Sequence, residues 1–197
     1  MNIKTKQLIA LMITAISVDL LYSSAYLPYV KASLYTTASE NISRYKTVDD
    51  FKNAFDKVFD FYSPIGQQEI ERFLGVHILN IIRNTEQPKS VSGALVNYAE
   101  EIFHIDYPTY RGLNFVQNYI ILGNIHLENW RRHHEPQDAV LAEKYFLDGL
   151  KSSPKRPQFL YGLFVVYTES NQKEKAISVD KEIMKYWPTD QTVKKAK

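Results

Sequence analysis

Residues 139–188 read AVLAEKYFLDGLKSSPKRPQFLYGLFVVYTESNQKEKAISVDKEIMKYWP. Ala142, Phe146, Gly149 and Pro154 lie at spacings of 4, 3 and 5, and a shift of 34 residues lands on Ala176, Asp180, Ile183 and Pro188. Alanine falls on alanine and proline on proline. A fixed period of this length is the mark of helical hairpins that stack, because one hairpin cannot cover its own apolar face. Small residues let two helices approach closely, a ring or leucine fills the groove beside them, and proline ends the second helix. Further prolines at 64, 88, 108, 136 and 157 mark helix boundaries in the same way.

Between these prolines the chain has helical periodicity and almost no strand alternation. Val48 to Phe61 sets Phe51, Phe55, Val58 and Phe59 on one face. Glu69 to Ile82 repeats this with Ile70, Phe73, Leu74, Ile78 and Ile81, and Leu113 to Trp130 with Phe115, Tyr119, Leu122 and Ile125. Val91 to Phe103, Ala139 to Leu150, Gln158 to Tyr167 and Glu174 to Tyr186 complete an all-α reading, and Asn84 to Ser92, polar and containing Pro88, reads as a linker. Short turns imply antiparallel neighbours.

The repeat resembles the tetratricopeptide family. In the last unit Leu160, Leu163, Tyr167, Ala176 and Pro188 stand at that family's large, leucine, tyrosine, alanine and proline positions, while Phe164, Asp180 and Ile183 depart from its small, aromatic and small positions. In the unit before it, Ala142, Phe146, Gly149 and Pro154 match the second helix. Tyr119, Leu122, Gly123 and His126 give the first-helix pattern one heptad early, which keeps the same face inward. A degenerate unit is expected around Phe51, Phe55, Val58 and Pro64, followed by Leu74-Gly75. The resemblance implies a groove lined by first helices, with Gln158, Tyr161, Val165 and Thr168 in the last unit and Gln117 and Asn124 before it facing a ligand, a protein or peptide partner. It also implies packing roles for Leu122, Gly123, Ala142, Phe146, Gly149, Pro154, Leu163, Tyr167, Ala176 and Pro188.

The N-terminus reads differently. Lys4 and Lys6 precede LIALMITAISVDLLYSSAYLPYV, residues 8–30, which carries a single charged residue, Asp19. The run is long enough to span a bilayer, and the leading lysines favour an inside N-terminus with the rest of the chain outside the cytoplasm. Asp19 is either an intramembrane contact or a protonated acid that the anchor tolerates. Ser23-x-Ala25 resembles a signal cleavage site, which would instead leave an exported soluble domain starting near Tyr26. The division expected is an anchor or signal at 1–30, a degenerate helical region at 31–110 and tetratricopeptide-like repeats at 111–197. A helix running into LPYVKASLY, then the amphipathic FKNAFDKVFDFYSPIGQQEIERFL, then repeats, also resembles the C-terminal tail of bacterial O-antigen ligase and polymerase-like membrane proteins. The multi-span transferase region of that family is missing here, so the resemblance extends to tail architecture alone and implies, as an alternative, an accessory of a surface-polysaccharide system.

Composition narrows the rest. The chain has 197 residues, no cysteine and a net charge of +2, so disulfides, thiolate zinc and thiol catalysis are out and nothing argues for nucleic acid. No glycine-rich phosphate loop, nucleophile elbow or zinc-protease motif occurs, and no cofactor is expected. His133-His134 with Glu135 is a weak metal candidate, since adjacent helical residues point about 100° apart. His104 with Asp106 is an equally weak acid–base pair, and His126 reads as a packing ring. Lys151, Lys155 and Arg156, with Lys194, Lys195 and Lys197, read as soluble helix ends. The function expected is that of a membrane-anchored, single-pass scaffold that binds a protein partner and does no catalysis.

Overall fold

A computed structural model describes residues 3–103 and 113–189, with side chains from 116 onward in the second span, and all of its regular structure is helical. His104, Asp106, the side chain of Phe115, and Lys194, Lys195 and Lys197 lie outside the described residues. The helices are α1 (Ile3–Leu21), α2 (Leu27–Glu40), α3 (Val48–Asp60), α4 (Gln67–Asn84), α5 (Lys89–Phe103), α6 (Leu113–His133), α7 (Pro136–Ser152), α8 (Pro157–Glu169) and α9 (Lys173–Tyr186). The linker read over 84–92 is shorter than expected, because Pro88 offers its carbonyl to the amides of Val91 and Ser92 and α5 begins at Lys89. Two compact units divide between Ile70 and Glu71.

In the first unit the apolar run does not stop at Val30. Helix continues from Ile3 to Glu40, interrupted only by a π turn at Tyr22–Tyr26. Pro28 explains that turn. It has no amide proton and its ring crowds the carbonyl four residues back, so the helix widens by one residue ahead of it. The Leu27 amide accordingly bonds the carbonyl of Tyr22. Tyr22 and Tyr26 stack with centroids 5.4 Å apart. This helix is long and apolar enough to cross a membrane, and none of its most apolar window is buried within the protein.

Helix α3 returns along α2. It starts with a capping box, in which Asp50 N donates to Thr47 Oγ1 and Thr47 N donates to Asp50 Oδ2. Phe51, Phe55 and Val58 are buried, whereas Phe59 is only half-buried. Near the start of α3, Tyr45 OH donates to the carbonyl of Ala38. Past its end, Lys31 Nζ donates to the Phe61 carbonyl at 2.8 Å and to Gln67 Oε1 at 2.5 Å. Lys31 is 2% exposed, and an ammonium so placed requires such acceptors.

The second unit is built on close approach of ring to glycine. A Cβ placed on Gly123 of α6 would come within 2.5 Å of the Phe146 ring of α7, and one on Gly162 of α8 within 2.6 Å of the same ring. Phe146 is fully buried between them. Gly149 of α7 meets Phe159 of α8, and Gly75 of α4 meets Phe103 of α5 and Ile121 of α6, at equally short range. Helix α6 is the centre. Tyr119, Leu122 and Ile125 are buried as their stripe predicts, but so are Ile121, His126, Leu127 and Asn129. A helix covered on several sides has neighbours on several sides; here α5, α7 and α8 pack on it. The α4 stripe keeps Ile70, Leu74 and Ile78 as read from sequence, with Ile82 buried in place of Ile81. Leu74, Ile78 and Ile82 are buried, whereas Phe73 is 48% exposed beneath the Arg72 guanidinium.

Glycine within a helix costs stability unless the contact demands it. At Gly93 of α5 an added Cβ meets nothing within 4 Å. Gly93→Ala should therefore raise stability by about 0.5–1 kcal/mol. Gly123→Ala and Gly162→Ala should each lower it by about 1–3 kcal/mol through overpacking on Phe146. Urea unfolding of the full chain in detergent, followed by circular dichroism, reads both signs.

Candidate functional site

The residues assigned packing roles fall into two groups. Leu122, Ala142, Phe146, Leu163, Tyr167 and Ala176 are buried, and Gly123 and Gly149 each face a ring. Pro154 and Pro188 are exposed in the turns after α7 and α9, where they stop helices instead of packing. Tyr167 gains a polar partner, donating its hydroxyl to Glu143 Oε1 at 2.9 Å. Burial, then the Glu143 carboxylate, push its pKa well up, so the phenol stays a donor. Lys175 reaches the same Glu143 oxygen at 2.8 Å and lies over the Tyr167 ring.

The residues assigned to a ligand face are all accessible to some degree. Gln158 and Thr168 are exposed, and Gln117, Asn124, Tyr161 and Val165 are half-buried. Asn124 turns its amide back onto the carbonyl of Ile120 at 2.7 Å. Thr168 also borders a cleft of about 350 Å³ with Phe164, Asn171, Lys173, Ala176, Ile177 and Asp180, which lies between α8 and α9. Thus Thr168 contributes to the side of α8 that faces α9.

A row of charges joins the ends of α4, α6 and α8. Arg83 of α4 pairs with Glu128 of α6 at 3.1 Å, Arg131 pairs with the same Glu128 at 2.9 Å, and Arg131 Nε donates to Glu169 Oε2 of α8 at 2.9 Å. Arg132 Nη2 donates to the carbonyl of Arg83. Exposed pairs contribute little singly, but a shared network fixes geometry. These bonds tie α4, α6 and α8 to one another at these ends.

Behind this row lies a buried polar cluster that the sequence gives no reason to expect. His126 of α6, 1% exposed, has Nδ1 2.8 Å from Asp138 Oδ1 of α7 and Nε2 3.2 Å from Glu100 Oε1 of α5. Tyr145 of α7 donates to the same Glu100 oxygen at 2.9 Å and stacks on the imidazole with centroids 5.4 Å apart. Asn129 Nδ2 donates to Asp138 Oδ2 at 2.6 Å, and Ser92 Oγ donates to Asn129 Oδ1. An ionised carboxylate only accepts, so a proton on each ring nitrogen would satisfy both contacts, which favours the charged form of the ring. Burial alone would lower the His126 pKa; the hydrogen bonds and charges of Asp138 and Glu100 outweigh it and raise the pKa above the ordinary 6.5. The His126 hydrogen bond in turn holds Glu100 below its ordinary 4.5, against its own desolvation. Asp138 sits in the first turn of α7, where the helix dipole favours an acid.

The cluster ties α5, α6 and α7 together through side chains that bond to one another. His133, His134 and Glu135 do not converge. His134 ends α6 with φ 55° and donates its amide to the Trp130 carbonyl, and Glu135 pairs with Lys89 at 2.6 Å. Among the described residues no group of three His, Asp or Glu side chains is placed to hold a metal. No family model, curated protein or solved structure matches the chain.

The two shifts have opposite consequences for stability. A raised His126 pKa stabilises the fold below the unfolded value and loses that contribution as pH climbs through the folded value; a lowered Glu100 pKa contributes above its unfolded value and fades in acid. The cluster is therefore at full strength between the ordinary values of 4.5 and 6.5. Removing the ring leaves buried carboxylate behind, so His126→Leu should cost about 3–5 kcal/mol. The melting temperature of the parent should fall from pH 6.5 upward, and this fall should flatten in His126→Leu, as thermal melts across pH will read.

Proposed function

We propose that the chain is a membrane-anchored helical-repeat adaptor of the tetratricopeptide kind. It binds a protein or peptide on the face of its first helices and does no chemistry of its own. One observation carries this reading: α4, α6 and α8, the first helices of consecutive hairpins, are tied side by side by the Arg83–Glu128–Arg131–Glu169 row. Helices laid in parallel on one side of a stack form a continuous surface, and such surfaces suit extended peptide segments.

The ring-to-glycine register supports the repeat. Gly75 with Phe103 and Gly123 with Phe146 set a small residue of a first helix against a ring of its second helix, twice in succession. The α8–α9 hairpin carries the inverse pair, Phe164 and Asp180, which line one cleft together. Accessible Gln117, Asn124, Tyr161 and Val165 on α6 and α8 are then the contacts for a partner.

The apolar helix is the anchor. Leu8, Leu11, Met12, Ile13, Ile16, Val18, Leu20 and Leu21 are all more than half exposed, and lipid is the cover that such a helix requires. Lys4 and Lys6 ahead of it favour a cytoplasmic N-terminus, which puts the stack on the other side. Confinement to the bilayer surface raises the effective concentration of partners held in the same membrane.

Photo-crosslinking in cells with the full chain tests the adaptor reading. A crosslinking side chain at Gln117 or Tyr161 should trap one discrete protein, whereas the same group at the exposed Val140 of α7 should not. Crosslinks from Val140 alone would place the binding face on the second helices and reject the assignment.

A further inference from the structure

We infer that the loop between α3 and α4, Tyr62 to Ile65, makes a second membrane contact, seated in the headgroup layer beside the outer end of the N-terminal helix. This rests on the reading of that helix as an anchor and adds a site to it. The first observation is exposure. Tyr62 is 73% exposed and Ile65 57%, with Pro64 exposed between them, in a loop whose backbone is fixed: Ser63 Oγ donates to the Ile65 carbonyl at 2.7 Å, and Gly66 takes φ 93°. An ordered turn thus presents two large apolar side chains outward together.

The second observation is where the turn sits. Hydrocarbon of about 30 Å takes about 20 helical residues, a length that runs from Gln7 to Tyr26. Lys31 is five residues further, about 7.5 Å at the helical rise, which puts it within the headgroup layer. Lys31 Nζ binds the Phe61 carbonyl on one side of the loop and Gln67 Oε1 on the other. Because α3 runs back along α2 from the Tyr45–Ala38 bond to this lysine, the chain returns to the bilayer surface at Phe61. Tyr62 and Ile65 therefore lie at the depth of the exposed Tyr26 and Tyr29, where amphipathic rings favour the interface. Occupation by lipid is argued from this shared depth. Asp60 and Glu69 flank the loop and are exposed, so the contact is apolar and does not need anionic lipid.

The absence of cysteine makes the test direct, since any introduced thiol is labelled uniquely. Full-length Tyr62→Cys, Ile65→Cys, Asn53→Cys and Ile16→Cys, each carrying a nitrobenzoxadiazole label, are reconstituted into vesicles of phosphatidylcholine and phosphatidylglycerol in equal parts. The expected result is that lipid bearing a shallow nitroxide dims the labels at 62 and 65 by more than half and shields them from iodide. The label on exposed Asn53 responds to iodide only, and that at 16 to a deep nitroxide. Labels at 62 and 65 that behave like the one at 53, with 16 still quenched, overturn the loop contact and leave the anchor standing. Loss of quenching at 16 as well overturns both. Repeating the measurement in phosphatidylcholine alone should leave the values at 62 and 65 unchanged; their loss there would overturn the apolar contact in favour of a charge-driven one.

Discussion

Phe146 has a glycine on either side, and the second unit depends on that sandwich. A helix pair normally keeps 8–10 Å between axes, set by the side chains at the contact. With hydrogen in place of a side chain at Gly123 and Gly162, one benzene ring occupies the space where α6, α7 and α8 converge. The ring is rigid and fully desolvated, so its position dictates the spacing of three helices at once. Phe159 against Gly149 and Phe103 against Gly75 apply the same device on either side along the stack. Apolar burial supplies the driving force; the glycines decide where it can be realised.

Ring packing is directional only through shape, and a stack held by it alone could slide by a turn. The cluster around His126 removes that freedom. Its donors and acceptors come from α5, α6 and α7, and each is matched to a partner at hydrogen-bonding distance. Shifting any of the three helices by one turn would strand a buried imidazole or carboxylate away from its partners, a cost far larger than a lost apolar contact. We regard the cluster as what fixes register in this stack, a role that buried polar groups fill in other helical assemblies. The charge row from Arg83 to Glu169 does the same at the surface.

The helices were legible because their punctuation is chemical. Proline at 136 and 157 opens a helix and at 154 and 188 follows one, and the apolar stripes between them need no tertiary knowledge. Gly123, Phe146 and Gly149 were singled out by the resemblance to the tetratricopeptide pattern of small and large positions, since the 34-residue beat itself aligned only the alanines and the prolines. Three features were not. Gly162 has no partner in that beat, since the ring it accommodates belongs to the preceding hairpin. The outward turn of Phe73 follows from a stripe through 70, 74, 78 and 82 that an equally apolar alternative through Phe73 and Ile81 disguised. The partners of His126 lie 26 residues before it and 12 after it, distances over which no local pattern survives. The burial of Lys31 against Phe61 and Gln67 depends on the return of α3, which only the fold reveals.

A double-mutant cycle between Gly123 and Phe146 tests most directly whether the ring sets the helix spacing. If it does, shrinking the ring makes room for the methyl group. Gly123→Ala in a Phe146→Leu background should then cost at least about 1 kcal/mol less than in the parent, a coupling typical of residues in contact. Costs that simply add would show that the glycine and the ring act independently, and the sandwich would not be what holds α6, α7 and α8 together.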